Sequence, residues 1–159
     1  MSQATQQPSL STVRPLAVTA LIGVLLLQAT GALAGGATLM ASPRGGIIRL
    51  PLSDLNGSPF HDFFIPGLIL FFVLGLAPLL VAAALLWQPE IGALEAVNPF
   101  RRQYWAWTAS GVIGVALIIW IAVQVTIIPF SALQPLYATI GLVIVALTLL
   151  PVVRAYYRR

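Results

Sequence analysis

The chain carries one histidine, His61, and an aspartate follows it directly in the stretch Ser58-Pro59-Phe60-His61-Asp62-Phe63-Phe64. An imidazole oriented by a carboxylate is a familiar general base. Successive residues on a helix diverge by about 100°, however, so His61 and Asp62 cannot brace each other. Asp54 or Arg49, from the preceding segment, would have to supply the second group. One histidine with two nearby carboxylates fits no metal-ligand spacing, so no metal or other cofactor is expected. Ser58 and Pro59 read instead as the N-cap and first residue of a helix. That reading puts His61 and Asp62 in an opening turn, where a carboxylate favours the positive helix end. A helix-end role outweighs a catalytic one, and no catalytic residue is assigned.

The elements that must position this pair are set by composition. Of 159 residues, 59% are hydrophobic and only 8% are charged, and the mean hydropathy is +0.96. Soluble domains carry about a quarter charged residues, so water is not the solvent this surface is made for. The absence of cysteine excludes disulfides, thiolate metal sites and thiol redox chemistry. The net charge of +4 comes from eight arginines against four acids. These arginines sit in short connections and at the tail, a distribution that orients helices in a bilayer and does not suit nucleic acid.

A helix needs about 20 apolar residues to cross the hydrocarbon core. Gaps between charges therefore outline four spans, at about 15–40, 63–87, 105–128 and 132–153, with an outer loop at 41–62. The last two are separated at Pro129-Phe130-Ser131, because the charge-free run 103–153 is too long for one helix and proline ends one. Arg14, Arg101, Arg102, Arg154, Arg158 and Arg159 fall on one side, and Arg44 and Arg49 on the other. The arginine-rich side is cytoplasmic by the positive-inside rule. Trp87, Tyr104, Trp105, Trp107, Tyr156 and Tyr157 are expected at that same interface. The fold class is thus all-α, a membrane-embedded four-helix bundle with cytoplasmic N and C termini. Residues 1–13 form a polar arm with no periodicity, expected to be disordered, and 14–159 a single domain. Ala32-Leu33-Ala34 resembles a signal-peptidase site, but the apolar run continues to Met40, past what a signal peptide needs. Asn98 and Pro99 read as the N-cap and first residue of the third span.

Membrane helices associate through small residues and scattered hydrogen bonds. Gly31 and Gly35 on the first span, Gly67 and Gly75 on the second, and Ser110 and Gly114 on the third are the candidate packing positions. Pro66 and Pro78 should free the carbonyls of Asp62 and Leu74. No Asp, Glu, Arg or His lies deep in any span, which disfavours proton relays and ion-coupled carriers. Among the intramembrane polar residues, hydroxyls can bond their own helix, but Gln28 and Gln124 need outside partners. Trp120 and Gln124, one turn apart, share the outer side with Gln134 and Tyr137. Together with His61 and Asp62 they make a candidate ligand-binding cluster. The loop ASPRGGIIRLPLSDLNGSPFHD is apolar enough to fold over the bundle mouth.

With SPFHDFFIPGLILFFVLGL, WIAVQV and LQPLYATIGL in view, the chain resembles small four-span bacterial integral membrane proteins from about Thr30 to its end. The resemblance implies a location in the cell inner membrane and brings no activity or residue role with it. The functional expectation is an accessory subunit or a binder of a small apolar ligand. The alternative is an oligomeric transporter or channel with an outer polar vestibule, and an enzyme is disfavoured. The lipid bilayer is the expected partner, with other membrane subunits or self-association as further candidates and no nucleic acid.

Overall fold

A computed structural model of the protein describes residues 13–159. The expectation for the N-terminal arm therefore falls, except for Val13, outside the described residues. The described chain is all-helical, with no strands. Helix α1 spans Leu16–Ala41, α2 Phe64–Trp87, α3 Gly92–Val97, α4 Trp105–Ile127, α5 Leu133–Leu149 and α6 Pro151–Tyr156. Of these, α1, α2 and α4 are long and apolar enough to cross a membrane, and α5 is a shorter apolar helix. The segment between α1 and α2 holds a single 3-10 turn at Leu52–Leu55.

Prolines set most of the boundaries. The carbonyl of Pro15 accepts from Val18 N and Thr19 N to start α1. The helix stops at Ser42, which precedes Pro43 and is driven out of helical geometry, with φ −136° and ψ 74°. Gln88 closes α2 in the left-handed conformation at φ 50°, just before Pro89. The fourth expected span, 132–153, is two helices. Leu150 lies at ψ 132° ahead of Pro151, so α5 ends at Leu149 and α6 restarts at a new angle. Pro151 is the residue that the charge-gap reading overlooked.

Two further expectations about helix starts are corrected. Ser58 does not cap α2. Its Oγ accepts from Phe60 N at 3.2 Å in a local turn, and Asp62 Oδ1 takes Phe64 N at 2.9 Å. His61 and Asp62 thus precede α2, and Pro66 falls in its first turn, where a missing N–H breaks no helix bond. Asn98 does not cap α4, which begins seven residues later at Trp105. Its side chain is buried and organises the connection. Nδ2 donates to Gln103 O (2.7 Å) and Phe100 O (3.3 Å), and Oδ1 accepts from Phe100 N (3.2 Å) and the Thr108 hydroxyl (2.8 Å).

Helix α1 packs along both halves of α2 and also against α5, while α4 packs along α5 and against the second half of α2. Small residues allow the close approaches. A methyl group on Gly36 would come within 2.6 Å of Phe71 N, and one on Gly67 within 2.7 Å of Leu39 Cβ. Across α4 and α5, Gly114 and Gly141 each face the other's carbonyl at 3.0–3.1 Å from a hypothetical Cβ. Gly35 faces Leu70, Gly75 faces Leu33, and Gly31 lies against the Tyr137 hydroxyl. Ser110 is fully buried and its hydroxyl lies 3.1 Å from that of Thr148. Gly36 and Gly141 complete these contacts although the spacing did not single them out.

The end of the molecule that carries both described termini is the better sealed. Tyr157 donates to Leu85 O at 2.9 Å, and Tyr104 to Pro89 O at 3.0 Å. Arg159 lies over the Tyr104 ring at 4.5 Å and pairs with Glu95 at 3.5 Å and Glu90 at 3.6 Å. The expectation of an interfacial aromatic belt is partly corrected here. Tyr104, Trp107 and Tyr157 are buried inside the packing, whereas Trp87 is 76% exposed.

Candidate functional site

At the opposite end, the segment between α1 and α2 folds back onto the helices. Phe63 N donates to Pro43 O at 2.8 Å, which ties its two ends together. Its apolar side chains Leu55 and Phe63 are buried with Leu39 of α1, and Leu50, Phe60, Leu70 and Ile127 pack around them. The result is a cap with a cavity beneath it, about 90 Å³ in volume. Leu50, Leu55, Phe60 and Phe63 line it from the cap, Pro66 and Leu70 from α2, and Trp120, Val123, Gln124 and Ile127 from α4. Typical small-molecule sites measure roughly 300–1,000 Å³, so this one takes a short piece of hydrocarbon rather than a whole ligand.

Gln124 and Trp120 bring the hydrogen-bonding side-chain atoms to this wall, an amide and an indole N–H. Among the described residues neither of them forms a side-chain hydrogen bond, and of the two only the Gln124 amide can both donate and accept. Trp120 stands one turn below it. No acid, base or nucleophile lines the cavity, and among the described residues no group of three His, Cys, Asp or Glu comes together. The arrangement can bind an apolar body and one hydrogen-bonding atom.

The six residues of the expected polar cluster are brought together only in part. Trp120 and Gln124 share the cavity wall. Tyr137 packs with Trp120 in the layer beneath, around Ala32, Leu74, Leu117 and Ile121. Gln134 is buried and serves its own helix. Its Oε1 accepts from Ser131 N at 3.3 Å and its Nε2 donates to Pro129 O at 3.4 Å. This is the reciprocal half of a capping box, and Ser131-Ala132-Leu133-Gln134 is its S-x-x-Q signature. His61 is exposed and does not line the cavity. Asp62 is engaged at the start of α2. The residues that sequence reasoning missed are the cap's own leucines and phenylalanines. Their apolar character marked the loop as one that folds over the bundle mouth, as it does here, but did not mark them as the lining of a cavity.

A second polar contact lies deeper, between α1 and α2. Helix α2 contains a π turn at Phe72–Leu76, where Ala77 N reaches back five residues to Phe72 O. Pro78 follows and leaves Leu74 O without its helical donor. The fully buried Gln28 supplies one, with Nε2 3.3 Å from Leu74 O. Its Oε1 has no partner. One of the two glutamines that need outside partners thus meets the carbonyl that a proline sets free.

Fold and site together define an all-helical protein, rich in apolar helices of membrane-crossing length, with a capped apolar cavity at one end. No family model, curated protein or solved structure matches the chain.

Proposed function

We propose that the chain is a multi-pass protein of a bacterial inner membrane, a four-helix bundle with both ends cytoplasmic, that binds a small apolar ligand beneath its outer cap. The observation that carries this reading is the Gln124 amide, unpartnered at the wall of an otherwise apolar cavity. In hydrocarbon an unsatisfied amide is costly, so a ligand carbonyl or hydroxyl there would be favoured. The orientation is supported by six arginines at the sealed end against Arg44 and Arg49 at the capped end. No catalysis is assigned, because nothing at the cavity can attack or move a proton.

The test is to purify the full chain in mild detergent, extract it with organic solvent and identify what it retained. Gln124→Leu should lower the retained amount severalfold with the helical content unchanged, and Val123→Trp should abolish retention by filling the space. A chain that retains no apolar compound, or retains it equally in Gln124→Leu, contradicts the ligand reading. Reporters fused to the two ends that appear on opposite faces contradict the topology.

A further inference from the structure

A second apolar hollow, about 470 Å³, runs along the outside of the molecule between α4 and α5. Its floor is stitched rather than loose. Trp107 Nε1 donates to Thr148 O at 2.8 Å across the two helices. Gly111 keeps it open, since a methyl there would meet only Thr148 Cγ2, at 3.6 Å. The hollow reaches along α4 from Thr108 to Ile119 and stops there. Eleven residues of helix rise roughly 16 Å, close to half of the roughly 30 Å hydrocarbon thickness. A partner helix would need a seam running the full span, whereas one leaflet's acyl chain needs half.

The polar end of the hollow is charged. Phe100, which lines it and meets the Trp107 ring edge-on at 5.8 Å, is followed directly by Arg101 and Arg102. Both arginines are exposed, and among the described residues only Arg159 forms ion pairs. An isolated backbone bridge sets Arg158 beside Gln103, the residue after Arg102. Arg101 and Arg102 thus follow the residue that closes the polar end of the hollow, with no acid paired to them among the described residues.

We propose that this hollow holds one acyl chain of an anionic phospholipid, with the phosphate on Arg101 and Arg102. Such a lipid matches the length, the dry wall and the charge at once. The inference presupposes the bilayer, but it is independent of the cavity at the opposite end.

The experiment offers the full chain in mild detergent phosphatidylglycerol or phosphatidylcholine of equal chain length, and counts bound lipids by native mass spectrometry. Phosphatidylglycerol should be retained over phosphatidylcholine by roughly tenfold or more, as expected for two arginines at a membrane surface. Added salt should erode that ratio. R101Q/R102Q should bring it near parity, and Gly111→Leu should lower retention of both lipids. Equal retention by the unaltered chain overturns the proposal, as does a ratio unchanged in R101Q/R102Q. Should Gly111→Leu fail to fold, the arginine variant still decides. High-yield cross-linking of Val112→Cys in vesicles would assign the surface to a second copy and overturn the lipid. A chain that does not float with vesicles at all would instead count against the membrane reading.

Discussion

A proline within a helix leaves the carbonyl four residues earlier without its N–H, and hydrocarbon offers no water to replace it. The π turn of α2 and the Gln28 amide together answer this at Leu74. The break before Pro151 ends α5 and leaves Thr148 O among its last carbonyls, where the Trp107 indole donates to it. Both donors come from another helix, so each proline fixes a pairing between helices as well as a bend. Interhelical hydrogen bonds in membranes contribute about 0.6 kcal/mol on average and up to about 1.7. We expect Gln28→Leu to destabilise by about 1 kcal/mol, read from unfolding in mixed detergent. Pro78→Ala returns an N–H to Leu74 O, so the same substitution should cost less in that background. Equal costs in both backgrounds would show that the amide is not serving that carbonyl. Each half of this contact was legible separately, as a glutamine in want of a partner and as a carbonyl set free. Their meeting was not, because 46 residues separate them and no local pattern spans that distance.

At the scale of the helix, the cost of adding a side chain depends on what it meets. Gly36 faces the Phe71 backbone at 2.6 Å from a hypothetical Cβ, whereas Gly23 has nothing within 4 Å. Gly36→Ala should therefore force α1 and α2 apart and destabilise by about 1–3 kcal/mol. Gly23→Ala should be neutral or stabilising by up to about 1 kcal/mol, since only helix propensity changes. Matching thermal shifts for the two variants would contradict the close packing. Three of the long helices were legible almost to the residue, because charges and prolines bracket them and both are costly inside a membrane helix. The turn that leads into α2 was not. Serine, aspartate and asparagine can each serve a local turn or a helix end, and only the tertiary path chooses. Ser58 and Asn98 were read as helix caps and turned out to organise loops. The cavity was invisible for a related reason: most of its walls are leucine, phenylalanine, isoleucine and valine, apolar residues whose type alone does not mark a position.

For the whole molecule, the two ends differ in how they are held. The capped end rests on apolar contacts, while the sealed end is tied by phenols, a guanidinium and two carboxylates. Burial pushes the Tyr157 phenol well above its usual range, with the neighbouring Tyr156 adding to the effect. Burial also raises Tyr104, against the opposing charge of Arg159. The unfolded chain therefore loses these protons first as pH passes about 10. The stability that the two phenols contribute is complete below that value and is lost as pH rises through their folded pKa values. Unfolding midpoints in detergent should be level between about pH 7 and 9 and fall steeply above about pH 10. Tyr157→Phe should lower the plateau and shallow the fall. A midpoint that stays level to strong alkali would place these rings outside the packing.

Val153 and Tyr157 are buried between α1 and α2, against Val18, Leu21 and Leu85. A ribosome makes α1 and α2 more than sixty residues before it makes this plug. The first two long helices are therefore made with a vacancy at that end, and the Leu85 carbonyl waits for a phenol not yet synthesised. The early half is provisional by construction, held open until the closing residues of α6 arrive to key it shut.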